Sequence, residues 1–385
     1  FILLAGVLLF RPTGILGLPM RVRETLTSRP AARPGAIANF ISARIDELKD
    51  ALSVGKLPAG ALAFIGAALI LATPLIVDRP YFIRVGASIG LAVVMVASLN
   101  VVTGWTGLLS LGHIAYYGVG AYAYAFVASP HFGLHLPFFP ALAVSAAAAA
   151  MFGLLIGAVS LRLRGDYLAM VTLAFAEIFR NLLLSLDRPI NLTGGVNGIL
   201  GVDNPTFFGF EILELNQFYY LIWLFAFAIL IMLAQLRRSR IGRAWLAIRE
   251  DEIAADSLGV HIFAYKLLAF TAAAAIAGLA GGVFASWQGS VFPEGFTVEQ
   301  TAILFCMLIV GGAANAPSLV IGAAVLTIVP EFLREYGPYR MLLFGLLLVA
   351  AMRYRPQGLF TTAQRRSNAG SVGNTADVGV AKGAS

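Results

Sequence analysis

The sequence has few charged residues and almost no cysteine. Only 12% of its 385 residues are charged and 59% are apolar, whereas about a quarter of the residues in globular proteins are charged. A soluble domain with so little charge would expose large apolar patches to water, which excludes a soluble enzyme and a disordered protein. The single cysteine, Cys306, lies inside an apolar run, so thiols provide neither a disulfide nor a zinc site. The composition indicates a membrane protein.

Long apolar runs are abundant instead. A helix needs about 20 apolar residues to cross a hydrocarbon layer of ~30 Å. The runs predict an all-α polytopic membrane protein with about 9–10 membrane segments, at 59–77, 85–103, 105–128, 138–161, 167–185, 218–236, 265–288, 301–329 and 339–352. Glycines at 104–112, and the Gly-Gly and proline at 311–317, predict broken or re-entrant helices near these two places.

Basic residues cluster between these runs. Residues 11–56 hold eight Lys and Arg, 237–249 hold five and 353–385 hold five, whereas 186–217 and 289–300 are acidic on balance. Such clusters between apolar runs are typical of a multi-pass plasma (inner) membrane protein, and the positive-inside rule predicts that the N-terminal linker and the C-terminal tail lie in the cytoplasm. This orientation requires the run 301–329 to break into two limbs that return to one side.

An internal similarity suggests how the chain is divided. Residues 9–16 resemble residues 353–360, because both follow an apolar run and carry Arg-Pro-X-Gly; chance similarity of two membrane exits is the alternative. We expect residues 1–17 to be the remnant of a preceding homologous membrane domain and 18–57 to be a cytoplasmic linker. The linker carries an amphipathic helix, either on the membrane surface or solvated. Residues 58–360 would form the transmembrane domain and 361–385 a disordered tail.

The polar loop 237–266 is the most informative segment. Its spacing predicts a helix with an apolar side formed by Ala244, Ala247, Ile248, Ile253, Ala254 and Leu258. Gly259 is expected to end this helix. A short amphipathic helix between two spans suits a groove on a soluble partner, although a connector that shields its own chain has the same pattern.

This loop resembles the coupling-helix motif of ABC-transporter permeases, in the form found in branched-chain amino-acid permeases. Matching residues are Arg243, Ala247, Ile248, Arg249, Glu252, Ala255 and Gly259. Segments 104–113, 165–178, 192–199 and 355–359 resemble the same family in order, so that the resemblance covers roughly residues 80–360. The chain is similar to the LivM-type subunit and residues 1–17 to the tail of a LivH-type subunit. Ser257 and residues 315–317 depart from the family pattern.

The resemblance implies a permease subunit of an ATP-driven importer for branched-chain or related hydrophobic amino acids, rather than an enzyme. It implies a LivH-like permease partner, two ABC ATPase subunits and a periplasmic or lipid-anchored substrate-binding protein. The sequence agrees on one point, because a P-loop requires Gly-Lys-Ser/Thr and none of the four lysines is followed by Ser or Thr. No cofactor is therefore expected in this chain, and ATP would bind to the partner subunits.

Two alternatives remain for the function. Related permeases for urea, short amides or another small polar solute would share the coupling motif and differ in pocket lining. An ion-coupled secondary transporter or channel fits less well, since it would need paired acidic residues at membrane depth and Glu177 is the only clear one.

Polar residues inside the apolar runs are candidates for the translocation pathway, because burying them in lipid is costly. Glu177 and Arg180 share a helical face, where an ion pair that holds two helices together is the alternative. The other candidates lie around the glycine-rich segment 104–112, and simple packing is the alternative for the histidine: Asn100, Thr103, Ser110 and His113. No metal site is predicted, since His131 and His135 are separated by Gly133 and lie between prolines.

Overall fold

A computed structural model describes residues 70–71, 73–74, 79–163, 165–186, 191–207, 210–312, 316–333, 337, 339 and 345. The predictions for residues 1–17, 18–57 and 361–385 lie outside these residues, and those for the first and last apolar runs lie almost wholly outside them.

The described residues form helices connected by short loops, as predicted for an all-α polytopic membrane protein. The helices are α1 (Pro80–Leu99), α2 (His113–Val127), α3 (Phe138–Ser160), α4 (Asp166–Ser185), α5 (Leu215–Arg238), α6 (Arg240–Glu250), α7 (Glu252–Ser257), α8 (Ile262–Gln288), α9 (Val298–Gly311) and α10 (Ala316–Phe332). Within the described part of the chain, six helical stretches are long and apolar enough to cross a membrane. These are Pro80–Trp105, Phe138–Ser160, Asp166–Ser185, Leu215–Arg238, Ile262–Gln288 and Pro293–Gly311.

Four two-residue strands lie in the loops. They are β1 (Ile199–Leu200), β2 (Thr206–Phe207), β3 (Phe210–Glu211) and β4 (Ser290–Val291). β1 pairs antiparallel with β4, and β2 with β3. The β1–β4 pair joins the loop after α4 to the loop after α8, so both lie at one end of the bundle, here called the strand end. The opposite end, which carries α6 and α7, is called the loop end.

The first predicted break is present. α1 continues as a π-helical segment (Asn100–Trp105), and the chain then leaves helical geometry until α2 begins at His113. The backbone N–H of Leu111 donates to the Thr172 hydroxyl oxygen at 3.1 Å, which fixes the non-helical stretch against α4. A non-helical backbone is tolerated at membrane depth where it is buried in protein or lines a cavity. Ser110 and Gly112 of this stretch are buried, whereas Gly107 and Leu109 are exposed.

The second predicted break, at 311–317, is also present and returns the chain to the strand end. α9 enters from that end and stops at Gly311, and Gly312 has φ +81°. α10 then runs back, and its Glu331 accepts a hydrogen bond from the hydroxyl of Tyr81, at the strand end of α1. The two limbs therefore form a re-entrant pair, as the distribution of basic residues requires.

Small residues set the packing around α8, the central helix of the bundle. α8 packs most extensively on α2 and α3. Gly278 lies against the α2 backbone at Gly120 and also against Ala149 of α3. The Ser145 hydroxyl lies 2.7 Å from the carbonyl oxygen of Gly120 and 2.6 Å from that of Gly278, so that it can donate to either. Close backbone approach of this kind is how membrane helices gain packing energy without a hydrophobic driving force.

Candidate functional site

Two short helices, rather than one, form the loop between α5 and α8. Ser239 caps α6 by accepting from the backbone N–H of Gly242 at 3.3 Å. Asp251 interrupts the helix with an extended backbone, and its carboxylate caps α7 by accepting from the N–H groups of Ile253 and Ala254 at 2.8 and 3.0 Å. A capping aspartate offers the backbone an alternative to continuing the helix, which is why the chain turns at this point.

This turn makes the predicted continuous apolar side wrong. The α6 residues Ala244, Ala247 and Ile248 lie wholly or partly buried, whereas Ile253 and Leu258 are 81% and 83% exposed. Ala254 is exposed as well, and Ala255 is the buried residue of α7. The loop therefore has a buried base and an apolar tip that faces outward.

The end of α7 follows the glycine prediction. The helix ends at Ser257, and Gly259 has φ +83°, a left-handed conformation that favours glycine. Its N–H donates to the carbonyl oxygen of Asp256 at 2.9 Å. Gly259 therefore shapes the return of the chain towards α8.

Two charged residues of the predicted motif are bonded within the chain. The Glu252 carboxylate pairs with Lys266 of α8 at 2.6 Å, and the lysine side chain is only 13% exposed. Arg243 is exposed and donates to the carbonyl oxygen of Arg238 at 3.3 Å. A groove of about 490 Å³ lies beside the ion pair, with Phe263 and Asp256 also in its wall.

The base of the loop contacts the π-helical segment. Trp245 is fully buried, its indole N–H donates to the carbonyl oxygen of Tyr265 at 2.7 Å, and its ring stacks on Trp105 with centroids 6.0 Å apart. The Arg249 guanidinium donates to the carbonyl oxygen of Gly104. This contact was not predicted from the sequence. Its one signal in the sequence was a tryptophan in each segment, Trp105 in the glycine-rich stretch and Trp245 in the loop.

The structure gathers the four polar candidates around the first break. Asn100, Ser110 and His113 are buried, and Thr103 is partly buried. The His113 Nε2 lies 2.6 Å from the hydroxyl of Ser98, a residue the sequence analysis did not single out. Other polar atoms of the four candidates are buried and have no partner in the part of the chain that the structure describes: Asn100 Oδ1, Thr103 Oγ1, Ser110 Oγ and His113 Nδ1.

Glu177 and Arg180 form an ion pair within α4, 3.6 Å apart, so the expectation that they join two helices is wrong. Both side chains remain about 30% exposed, at 31% and 30%. Asn181 and Ser185 extend the same side of the helix and are exposed. Asn181 and Ser185 lie four and eight residues after Glu177, and this spacing was the signal for the polar stripe.

The strand end presents the outer loops. His135 Nδ1 lies 2.6 Å from Asp203 Oδ2, and His131 Nε2 lies 3.0 Å from the carbonyl oxygen of Asn191. Over the described ranges, no group of three His, Cys, Asp or Glu side chains is placed to hold a metal ion.

Comparison with known proteins gives a consistent result. Residues 81–352 match the family described as branched-chain amino acid transport system / permease component. The high-affinity branched-chain amino acid transport system permease protein LivM of Escherichia coli K12 is 40% identical over 290 residues, covering 69% of this chain and 67% of that protein. The probable LivM of Methanocaldococcus jannaschii is 26% identical over 232 residues, 55% of this chain and 66% of that protein. The LivH permease of E. coli K12 is 28% identical over 199 residues, 50% of this chain and 63% of that protein. No solved structure matches significantly.

Proposed function

Because the chain belongs to the branched-chain amino acid transport permease family, we propose that it is the membrane permease subunit of an ATP-driven importer for branched-chain or related hydrophobic amino acids. The observation that supports coupling to an ATPase is that the loop 240–260 has its base packed into the bundle and its tip exposed. Such a rigid projection can transmit movement from a soluble partner to the membrane helices.

The charges of the two ends support an orientation. The loop end carries five arginines between residues 237 and 249, whereas the strand end carries acidic residues such as Asp203, Glu211 and Glu294. We propose that the loop end faces the cytoplasm of a bacterial inner membrane. The strand end would then face the substrate-binding protein, periplasmic or lipid-anchored.

The loop tip has the chemistry of an ATPase contact. Ile253 and Leu258 provide exposed apolar area, and the charges of Asp256 and the Glu252–Lys266 pair border the adjacent groove. A central apolar contact with a charged rim is typical of protein interfaces. Two separate ABC ATPase subunits would bind and hydrolyse ATP, and one of these subunits would contact this tip. This chain itself would hold no cofactor.

The polar stripe of α4 supports a route for the solute. The Glu177 carboxylate cannot face lipid without a large cost in free energy. The amide of Asn181 and the hydroxyl of Ser185 add exposed polar groups on the same side of α4, each also donating to the carbonyl oxygen four residues earlier. Glu177, Asn181 and Ser185 are therefore proposed to face water, on a pathway that a LivH-like permease subunit closes from the other side. Asn100, Thr103, Ser110 and His113 would lie at the loop end of the same pathway.

Uptake by the assembled complex tests this function. Proteoliposomes would contain this chain, a LivH-like subunit, both ATPases and the binding protein, and would take up radiolabelled leucine only with ATP on the ATPase side. An importer of urea or short amides would accumulate those solutes and not leucine. An ion-coupled transporter would lose uptake when an uncoupler is added at constant ATP.

The ion pair of α4 gives a separate prediction. Replacing Glu177 alone by leucine leaves the Arg180 guanidinium, whose Nε is buried, without its carboxylate partner, so E177L is expected to reduce both insertion and uptake. The double variant E177L/R180L removes both charges and should insert like the unaltered chain. Its leucine uptake should nevertheless stay at least about tenfold lower, equivalent to ~1.4 kcal/mol.

As the control, membrane insertion and the yield of assembled complex are measured for the double variant and compared with those of the unaltered chain. If E177L/R180L transports leucine as fast as the unaltered chain, the ion pair serves only the structure of α4 and does not line the pathway.

A further inference from the structure

The region from Asn100 to His113, which comprises the π-helical segment, the non-helical stretch and the first residue of α2, concentrates the unsatisfied polar atoms of the described chain. Ten buried side-chain N or O atoms have no partner among the described residues. Five of them fall within fourteen consecutive positions, on Asn100, Thr103, Trp105, Ser110 and His113. Unpaired buried polar groups destabilise the arrangement that holds them, and π-helical turns are frequent at functional sites. The region from Asn100 to His113 is therefore expected to adopt a second arrangement, in which these polar groups contact water or solute.

Two side chains of α6 hold the segment in the arrangement seen. The Arg249 guanidinium donates to the carbonyl oxygen of Gly104, the fifth residue of the π-helical segment. The Trp245 ring stacks on Trp105, the last residue of that segment. The two contacts thus fix the point at which α1 ends.

The glycine that follows allows this close approach. Gly107 has φ +76°, and a Cβ atom placed there would lie 3.3 Å from Arg249 Cγ. The aliphatic part of the arginine therefore lies directly over the backbone of the non-helical stretch. A larger side chain at residue 107 would crowd it and would be strained by the positive φ.

Arg249 and Trp245 both belong to α6. They are four residues apart and so lie on one face of α6. The indole N–H of Trp245 also ties this face to the carbonyl oxygen of Tyr265, in the first turn of α8. A force on the loop tip is therefore applied to the end of α1 through two defined contacts.

We propose that the Arg249/Trp245 contact holds the π-helical segment closed, and that displacement of α6 by the ATPase releases it and opens Asn100, Ser110 and His113 to water. This inference rests on the proposed function for the source of the movement. Arg249 is then a positioning residue that acts through Gly104, in addition to any contact it makes with a partner.

Cysteine accessibility in the assembled complex tests the inference. The native thiol is removed as C306A, and S110C introduces a thiol at a fully buried position of the non-helical stretch. The rate of reaction with a hydrophilic maleimide is measured without nucleotide. R249A should raise this rate by at least about tenfold, because the segment opens more often. R249K, which keeps a cationic donor, should restore part of the protection.

A matched control lies on the same helix. Arg240 is exposed at the start of α6, and R240A should leave the labelling rate of S110C unchanged. The inference is overturned if S110C is labelled as slowly in the R249A chain as in the chain with Arg249 intact. It is also overturned if R240A raises the labelling rate as much as R249A does. If the R249A chain does not assemble, S110C is labelled in the chain with Arg249 intact, once without nucleotide and once in an ATP-trapped complex. The inference predicts different labelling rates in the two states, and equal rates overturn it.

The outcomes separate this inference from the proposed function. If the complex transports leucine with ATP but S110C labelling is indifferent to Arg249 and to nucleotide, only the inference fails. If no ATP-driven uptake occurs, the proposed function fails, and the effect of R249A on labelling still reports whether Arg249 holds the segment.

Discussion

We expect ATP-driven leucine uptake to fall to the level without ATP when Gly259 is replaced by proline. Gly259 has φ +83°, and proline fixes φ near −65°. The substitution also removes the N–H that donates to the carbonyl oxygen of Asp256. The end of α7 must therefore refold, which displaces the exposed Ile253 and Leu258 from the positions that the ATPase is proposed to contact.

Asparagine is the conservative variant at this position. It tolerates the left-handed conformation better than other non-glycine residues and keeps the N–H. G259N is expected to retain most of the uptake, and both variants should insert equally because Gly259 lies outside the bundle. ATP-driven uptake by G259P at the rate of G259N would show that the shape of α7 does not matter for coupling.

The largest effect on stability is expected from a side chain at Gly278. A Cβ atom at this position would lie 2.9 Å from the carbonyl oxygen of Ser145 and even closer to Ala149 of α3. On the other side, α2 contacts the same glycine through Gly120. G278V should therefore separate α8 from both neighbours and lower the free energy of unfolding by about 3 kcal/mol. Thermal unfolding of the purified protein in detergent measures the loss.

A glycine without neighbours provides the control. Apart from the adjacent residues, no atom of the described chain would lie within 4 Å of a Cβ atom at Gly295, and its φ is not in the left-handed region. G295A should therefore leave the unfolding temperature nearly unchanged. Equal unfolding temperatures for G278V and G295A would contradict the packing described for α8.

The sequence predicted the membrane helices and both breaks because each depends on local composition. An apolar run long enough to span a bilayer favours a helix. Local glycines and prolines interrupt it, as at 104–112 and at 311–317. The return of α10 to the strand end followed from the distribution of basic residues, which is also a property of the sequence alone.

The contacts of the candidate site could not be predicted in this way. Ile253 and Leu258 have the spacing of an apolar helical side, but the capping carboxylate of Asp251 turns the chain and leaves them exposed. The partners of Arg249 and Trp245 lie about 140 residues earlier in the chain, at Gly104 and Trp105. Only tertiary packing brings such distant segments together, and the periodicity of the sequence does not predict these contacts.

The most direct test of the account is leucine uptake by the reconstituted complex with the energy source varied. Proteoliposomes containing this chain, a LivH-like subunit, the ATPases and the binding protein should accumulate labelled leucine with ATP, and an uncoupler should have no effect. G259P in this chain should abolish that accumulation. Uptake that persists without ATP and collapses with the uncoupler would contradict the assignment of this chain as an ATP-driven permease subunit.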